Sequence, residues 1–136
     1  MKALTRTSRL FSLVGHEAVV RKGRETEVRV LDALMERQNK LPEWFHTVYP
    51  ATPDQDHKGI DYVIETHDLG KVFLQVKSSE HFARRFRFKQ SRRRYNRFIA
   101  VVVILEHMDN GRIVESVIRS IEKSRSLIMA EHRKCA

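Results

Sequence analysis

Three side chains in neighbouring short segments carry the densest chemistry in this chain: Asp61, Gln75 and Lys77. They lie in the stretch Gly59–Lys77, GIDYVIETHDLGKVFLQVK. Residues 61–65 and 71–77 are rich in β-branched and aromatic side chains, and Thr66-His67-Asp68-Leu69-Gly70 between them has turn chemistry, so the stretch reads as a hairpin. With the turn centred on Asp68, Glu65 falls opposite Lys71, a favourable pair of opposite charges. Tyr62 then faces Leu74 and Ile64 faces Val72, which makes one face apolar, while Val63 faces Phe73 and Asp61 faces Gln75. Strand side chains alternate, so Gln75 and Lys77 share the side that Asp61 occupies. A carboxylate with an amide oxygen beside it suits a hard cation such as Mg²⁺. A lysine next to that cation orients a water or offsets developing negative charge. A plain hairpin with Asp61, Gln75 and Lys77 on its solvated face fits the same residues.

The elements that must position this group follow from hydrophobic spacing. Gly23 precedes a helix expected over 24–38, with Val28, Val30, Leu31, Leu34 and Met35 at helical intervals. Glu27 continues that apolar stripe and is better aimed at a sheet than Glu25, although an acid near a helix N-terminus is also favoured by the dipole alone. Residues 44–51 read as a strand closed by Pro50 and Pro53, and 52–60 as a polar loop. Within that loop the Pro53-Asp54 dipeptide stands too far from the strand start, and Asp56 is a runner-up as a second-metal or outer ligand. His57 and Lys58 are candidate phosphate contacts, with solvated loop residues the plainer reading.

Downstream of the hairpin the charge becomes one-sided. Between residues 84 and 97 eight of fourteen residues are Arg or Lys, and no acid follows until Glu106. Arg84, Arg85, Arg87, Lys89, Arg92, Arg93, Arg94 and Arg97 lack the compensating acids of an ordinary solvated face, which points to phosphate binding. The interleaved Phe82, Phe86, Phe88 and Tyr95 read as anchors into the core rather than stacking partners for bases. This region is expected to be irregular or extended over 81–88 and helical over about 89–96. Phe98–Leu105 is a run of eight apolar residues, expected as a central strand buried on both faces. Asn110-Gly111 signals a hairpin, with 112–117 returning as an edge strand and a terminal helix over 118–131 burying Ile118, Ile121, Leu127 and Ile128.

Composition bounds the rest. The 136 residues make one domain, with a basic helix or arm at 1–22 and a frayed tail at 132–136. A net charge of +9 attracts polyanions, nucleic acid first and a membrane surface or an acidic protein behind it. No apolar run approaches spanning length, no leader-like apolar region precedes a cleavage site, and the single Cys135 allows no internal disulfide, so the cytoplasm is expected. There is no zinc spacing, nucleophile elbow, P-loop or dinucleotide fingerprint.

The spacing Asp61, thirteen residues, Gln75, one residue, Lys77 resembles the metal-binding core of the PD-(D/E)XK nuclease superfamily. That superfamily includes restriction endonucleases, archaeal Holliday-junction resolvases and Mrr-type nucleases. Gln75 stands where Glu or Asp is commoner, and its QxK form resembles the Mrr-type branch. Gly23 followed by Glu27 resembles the first-helix motif of the resolvases. The resemblance covers about 23–105. It implies an α/β fold, with a restriction endonuclease-like αβββαβ core and a mixed central sheet flanked by helices. It further implies Mg²⁺ or Mn²⁺ held by Asp61, Gln75, the Val76 carbonyl and Glu27, with Lys77 positioning the attacking water. The implied activity is a metal-dependent endonuclease on DNA, for which a homodimer suits the cutting of both strands of a duplex. Two other readings stand beside it: a non-catalytic nucleic-acid-binding module with a degenerate site, and a basic factor for an acidic protein.

Overall fold

β-Branched density, helical spacing and one-sided charge sort the chain into a single mixed sheet with helices on both faces. The computed structural model describes the backbone of residues 18–135 and the side chains of 24–134. The elements run α1 (Ala18–Glu36), a 3-10 turn (Gln38–Lys40), β1 (Phe45–Pro50), α2 (Pro53–His57), β2 (Tyr62–Thr66), β3 (Gly70–Lys77), α3 (Glu80–Ser91), β4 (Ala100–Val103) and α4 (Asn110–Cys135). The basic segment expected at 1–22 falls largely outside the described residues, and its last part, 18–22, opens α1.

The sheet order is β1-β2-β3-β4. β1 and β3 flank β2 antiparallel, while β3 and β4 run parallel and are joined across the sheet by α3. The β2–β3 register is the one read from the sequence, with Tyr62 opposite Leu74, Ile64 opposite Val72 and Glu65 opposite Lys71. Between Phe45 and Thr47 the β1–β2 pairing slips past His46, a bulge.

Alternation on β2 and β3 divides the interior in two. Tyr62, Ile64, Val72, Leu74 and Val76 meet Val30, Leu31 and Leu34 of α1 and Ile113, Val117 and Ile121 of α4 in the main core. Val63, with Ile60, Ile99 and Phe86 of α3, forms a smaller cluster on the opposite face, against which Phe73 and Tyr95 pack.

Several expectations are corrected. Residues 80–91 form one helix, not an extended segment followed by a helix at 89–96. Ser79 caps it by accepting from the Phe82 N–H, and Ala83 and Phe86 are buried one turn apart. β4 is an edge strand rather than a central one, and its apolar run reflects cover by α3 on one face and α4 on the other. Residues 112–117 are helical, because Asp109 accepts from the Arg112 N–H as an N-cap and Ile113, Val114, Val117 and Ile121 continue a helical stripe. Asn110-Gly111 thus opens a helix instead of turning a hairpin. Leu127 is exposed on that helix, as Met35 is on α1. The helix continues through Cys135.

The hairpin turn is tied to α4. Thr66 accepts from the Leu69 N–H and donates to the Gly70 carbonyl, while Gly70 takes φ +76°. Arg125, buried and stacked over Trp44 at 4.3 Å, donates to both carboxylate oxygens of Asp68 at 2.8 and 2.7 Å. Those bonds hold the Asp68 carboxyl down at about 2. A depressed carboxyl contributes stability above its unfolded value, near 4, and loses it as pH falls toward the folded value. Asp68→Asn is expected to be less stable than wild type in urea melts at pH 7 and to show a flatter stability curve between about pH 4 and 2. A variant curve parallel to wild type across that range would remove the ion pair as the source.

Candidate metal centre

The middle of α1, a short helix and a strand end bring three carboxylates together; α1 begins before Gly23, so Glu27 is interior to the helix rather than at its N-terminus. Glu27 on α1, Asp56 on α2 and Asp61 just before β2 each place an oxygen within 4.8 Å of the other two. Each position has a local cause. Glu27 follows the buried stripe of α1, and the Tyr62 hydroxyl donates to its backbone carbonyl at 2.7 Å, fixing the middle of that helix over the sheet. Asp56 is carried by a helix where the sequence suggests a loop. Thr52 and Gln55 form a reciprocal capping box, and Pro53 stands inside the first turn. That helix ends with the Gly59 N–H on the Asp56 carbonyl and the Ile60 N–H on the Gln55 carbonyl, both 3.0 Å, with Gly59 at φ +85°. The turn delivers the chain directly from Asp56 to Asp61.

At Asp61 the regular ladder stops. Its N–H reaches the Leu74 carbonyl at 2.8 Å and its own carbonyl accepts from Ala51 at 3.0 Å. Its carboxylate then takes the Val76 N–H at 2.7 Å, a donor that a continuing strand would have claimed. Asp61, directly before β2, and Gln75 on β3 therefore do not form a regular strand pair. Gln75 is only 7% exposed, and its Oε1 accepts no hydrogen bond among the described residues. Its amide nitrogen lies a long 3.5 Å from the Val76 carbonyl. An unsatisfied buried acceptor costs about 1–3 kcal/mol, so this oxygen fits a site that a cation or water completes. The ammonium of Lys77 lies 5.3 Å from the centre of the Phe86 ring and has no ion pair among the described residues.

The electrostatics are those of crowded anions. Burial pushes the Asp61 carboxyl well above its ordinary range, with the Glu27 charge and a hydrogen bond to Glu27 adding to this, and the Val76 N–H opposes it only in part. Arg24 offsets some of the charge, donating to Glu27 at 2.8 Å and standing 3.9 Å from Asp56. The donor set is all oxygen and carries up to three negative charges, which suits Mg²⁺ or Mn²⁺ rather than a soft metal.

Sequence reasoning ranked Asp56 behind the others and overlooked Arg24. The capping box of Thr52 and Gln55, and the spacing of three residues between Arg24 and Glu27, were the available signals. Asp54 and Glu25 lie outside the carboxylate cluster. Lys58 and His57 are exposed at the end of α2. Arg84, Arg85, Arg87 and Lys89 lie on α3, Arg92 caps it, and Arg93, Arg94 and Arg97 fill the following loop, with Arg97 paired to Glu131. Of the interleaved aromatics, Phe86 is buried and stacks on Tyr95 at 4.6 Å, whereas Phe82 and Phe88 are exposed, contrary to their expected role as anchors. Set against known proteins, the chain matches no family model, no curated protein and no solved structure.

Two outcomes are expected. A folded carboxyl raised above its unfolded value keeps its proton where the unfolded chain has lost it, so metal-free protein loses stability as pH rises from about 4 through the raised value. Asp61→Asn should therefore melt higher than wild type at pH 8 without metal. Millimolar Mg²⁺ or Mn²⁺ should stabilise the wild type, by about 2.7 kcal/mol at a hundredfold excess over Kd, and so raise its melting temperature, more at pH 8 than at pH 5, while leaving the variant unmoved. An equal shift in both proteins would exclude these carboxylates as the ligands. Separately, a Cβ at Gly59 would come within 2.7 Å of the Phe86 ring in a left-handed backbone, so Gly59→Ala is expected to cost about 2–4 kcal/mol in denaturant melts.

Proposed function

We propose that the protein is a metal-dependent endonuclease hydrolysing DNA phosphodiester bonds, with a restriction endonuclease-like core. The observation that carries this reading is the convergence of Glu27, Asp56 and Asp61; the unsatisfied buried acceptor of Gln75, on the strand whose Val76 N–H holds Asp61, supports it. The element order helix, three antiparallel strands, helix, parallel strand agrees with an αβββαβ core into which α2 is inserted. Asp61, Glu27 and Asp56 would hold Mg²⁺ or Mn²⁺, with Gln75 Oε1 and the Val76 carbonyl as neutral donors. Bound there, the ion supplies Lewis-acid polarisation of a phosphate and charge neutralisation at the leaving oxygen. Lys77, free of ion pairs among the described residues, orients the attacking water and balances negative charge as it develops. The cations of α3 and its following loop hold the DNA backbone, which gives affinity without base readout and a steep salt dependence.

One observation favours a second reading. Gln75 contributes no charge, and a protein that retains the cluster but binds metal weakly would serve as a nucleic-acid-binding module. Cleavage of duplex, branched and single-stranded DNA in Mg²⁺ or Mn²⁺ separates the two. Asp61→Ala and Lys77→Ala are each expected to lose about 10²-fold or more in cleavage rate while keeping most of their binding. Lys77→Ala cutting as fast as wild type would overturn the assignment. Wild-type binding without metal-dependent cutting of any substrate would establish the module.

A further inference from the structure

Phe88 has no structural reason to be where it is. On a helix of 3.6 residues per turn, it lies roughly 200° around α3 from Phe86, which anchors the helix to the sheet. It therefore projects straight outward and is 62% exposed. Arg84, Arg85, Lys89, Arg92 and Arg94 surround it and line with it a concavity of about 430 Å³. The Arg92 guanidinium stands 5.5 Å from the centre of its ring. Among the described residues, none of these five cations has an ion pair with an acid. An apolar ring in a field of unneutralised cations does not suit a protein partner's hydrophobic patch, which would have to desolvate every guanidinium around it. It suits a ligand that carries phosphates and flat apolar faces on one chain.

We propose that the outward face of α3 binds an unpaired stretch of nucleic acid, with a base stacked on Phe88 and the flanking phosphates held by Arg84, Arg85 and Arg92. A paired base has its faces covered within the duplex, so the ring selects for single strand, gap, flap or junction. The phosphate contacts alone are indifferent to strandedness. The inference deepens the nuclease reading by naming the substrate class and shares with it only nucleic acid as the partner; no cutting is required.

The test is binding in EDTA, so that loss of cleavage bears on the metal centre alone. A labelled single strand carrying 2-aminopurine and the matching duplex are titrated against wild type, Phe88→Ala, Phe88→Trp and Arg84→Ala. Stacking on an aromatic contributes about 1–3 kcal/mol per base, so Phe88→Ala should weaken single-strand binding about 5- to 150-fold. Duplex binding should change less than about twofold, by contrast with that stacking loss. Phe88→Trp should restore single-strand affinity, and the emission change of 2-aminopurine on binding should vanish in Phe88→Ala. Arg84→Ala should weaken both forms and reduce the salt slope by about 0.7–0.9. Equal loss on both substrates, or no loss on either, overturns the proposal. So does sedimentation showing a wild-type dimer that Phe88→Ala dissociates, which would assign this face to a second copy of the chain. Phe88 packs against no core residue, so the variants are expected to fold, and circular dichroism checks it.

Discussion

The architecture turns on one hydrogen bond that departs from the sheet. The Val76 N–H goes to the Asp61 carboxylate instead of a backbone carbonyl. That substitution ends the antiparallel ladder between β2 and β3. It also fixes an anion where α1 and α2 bring two more. A carboxylate bonded to a backbone amide is normally held down in pKa, yet here burial and the neighbouring Glu27 outweigh that bond. The folded chain thus holds charge that its own residues neutralise only in part, through Arg24. Such stored repulsion is the usual sign of a site shaped for a ligand rather than for stability.

The two faces of the sheet divide the labour. The α1/α4 face holds the larger apolar cluster and fixes Glu27 through the Tyr62 hydroxyl. The α3 face has the smaller cluster, and there a single ring, Phe86, makes several contacts. It stacks on Tyr95, lies beneath the Lys77 ammonium and closes against Gly59. The basic helix is consequently indexed to the carboxylate cluster through one buried aromatic.

The hairpin could be read from the sequence because its signals agree: β-branched runs, a glycine at a left-handed turn and one pairing that leaves a face wholly apolar. Glu27 was legible for the same reason, as part of a helical stripe. What escaped had competing local signals. Asn110-Gly111 carries hairpin chemistry, but the Asp109 cap and the Ile113, Val117, Ile121 stripe decide for helix. Residues 81–88 look extended because aromatics favour strands, yet the Ser79 cap and the buried Ala83/Phe86 pair prevail. β4 reads as central since both its faces are covered, and composition cannot distinguish cover by helices from cover by strands. The partnership of Asp68 with Arg125, fifty-seven residues apart, has no local trace at all.

β1 forms a rim, with a neighbouring strand on one side only among the described residues. A free rim of backbone donors is an invitation to pair with another chain and nucleate fibrils. Here the slip at His46 twists one end of that rim, and Pro50 removes a donor at the other. Few consecutive amides remain for an incoming strand to zip along. The edge is thereby guarded against the end-to-end strand pairing from which cross-β fibres grow.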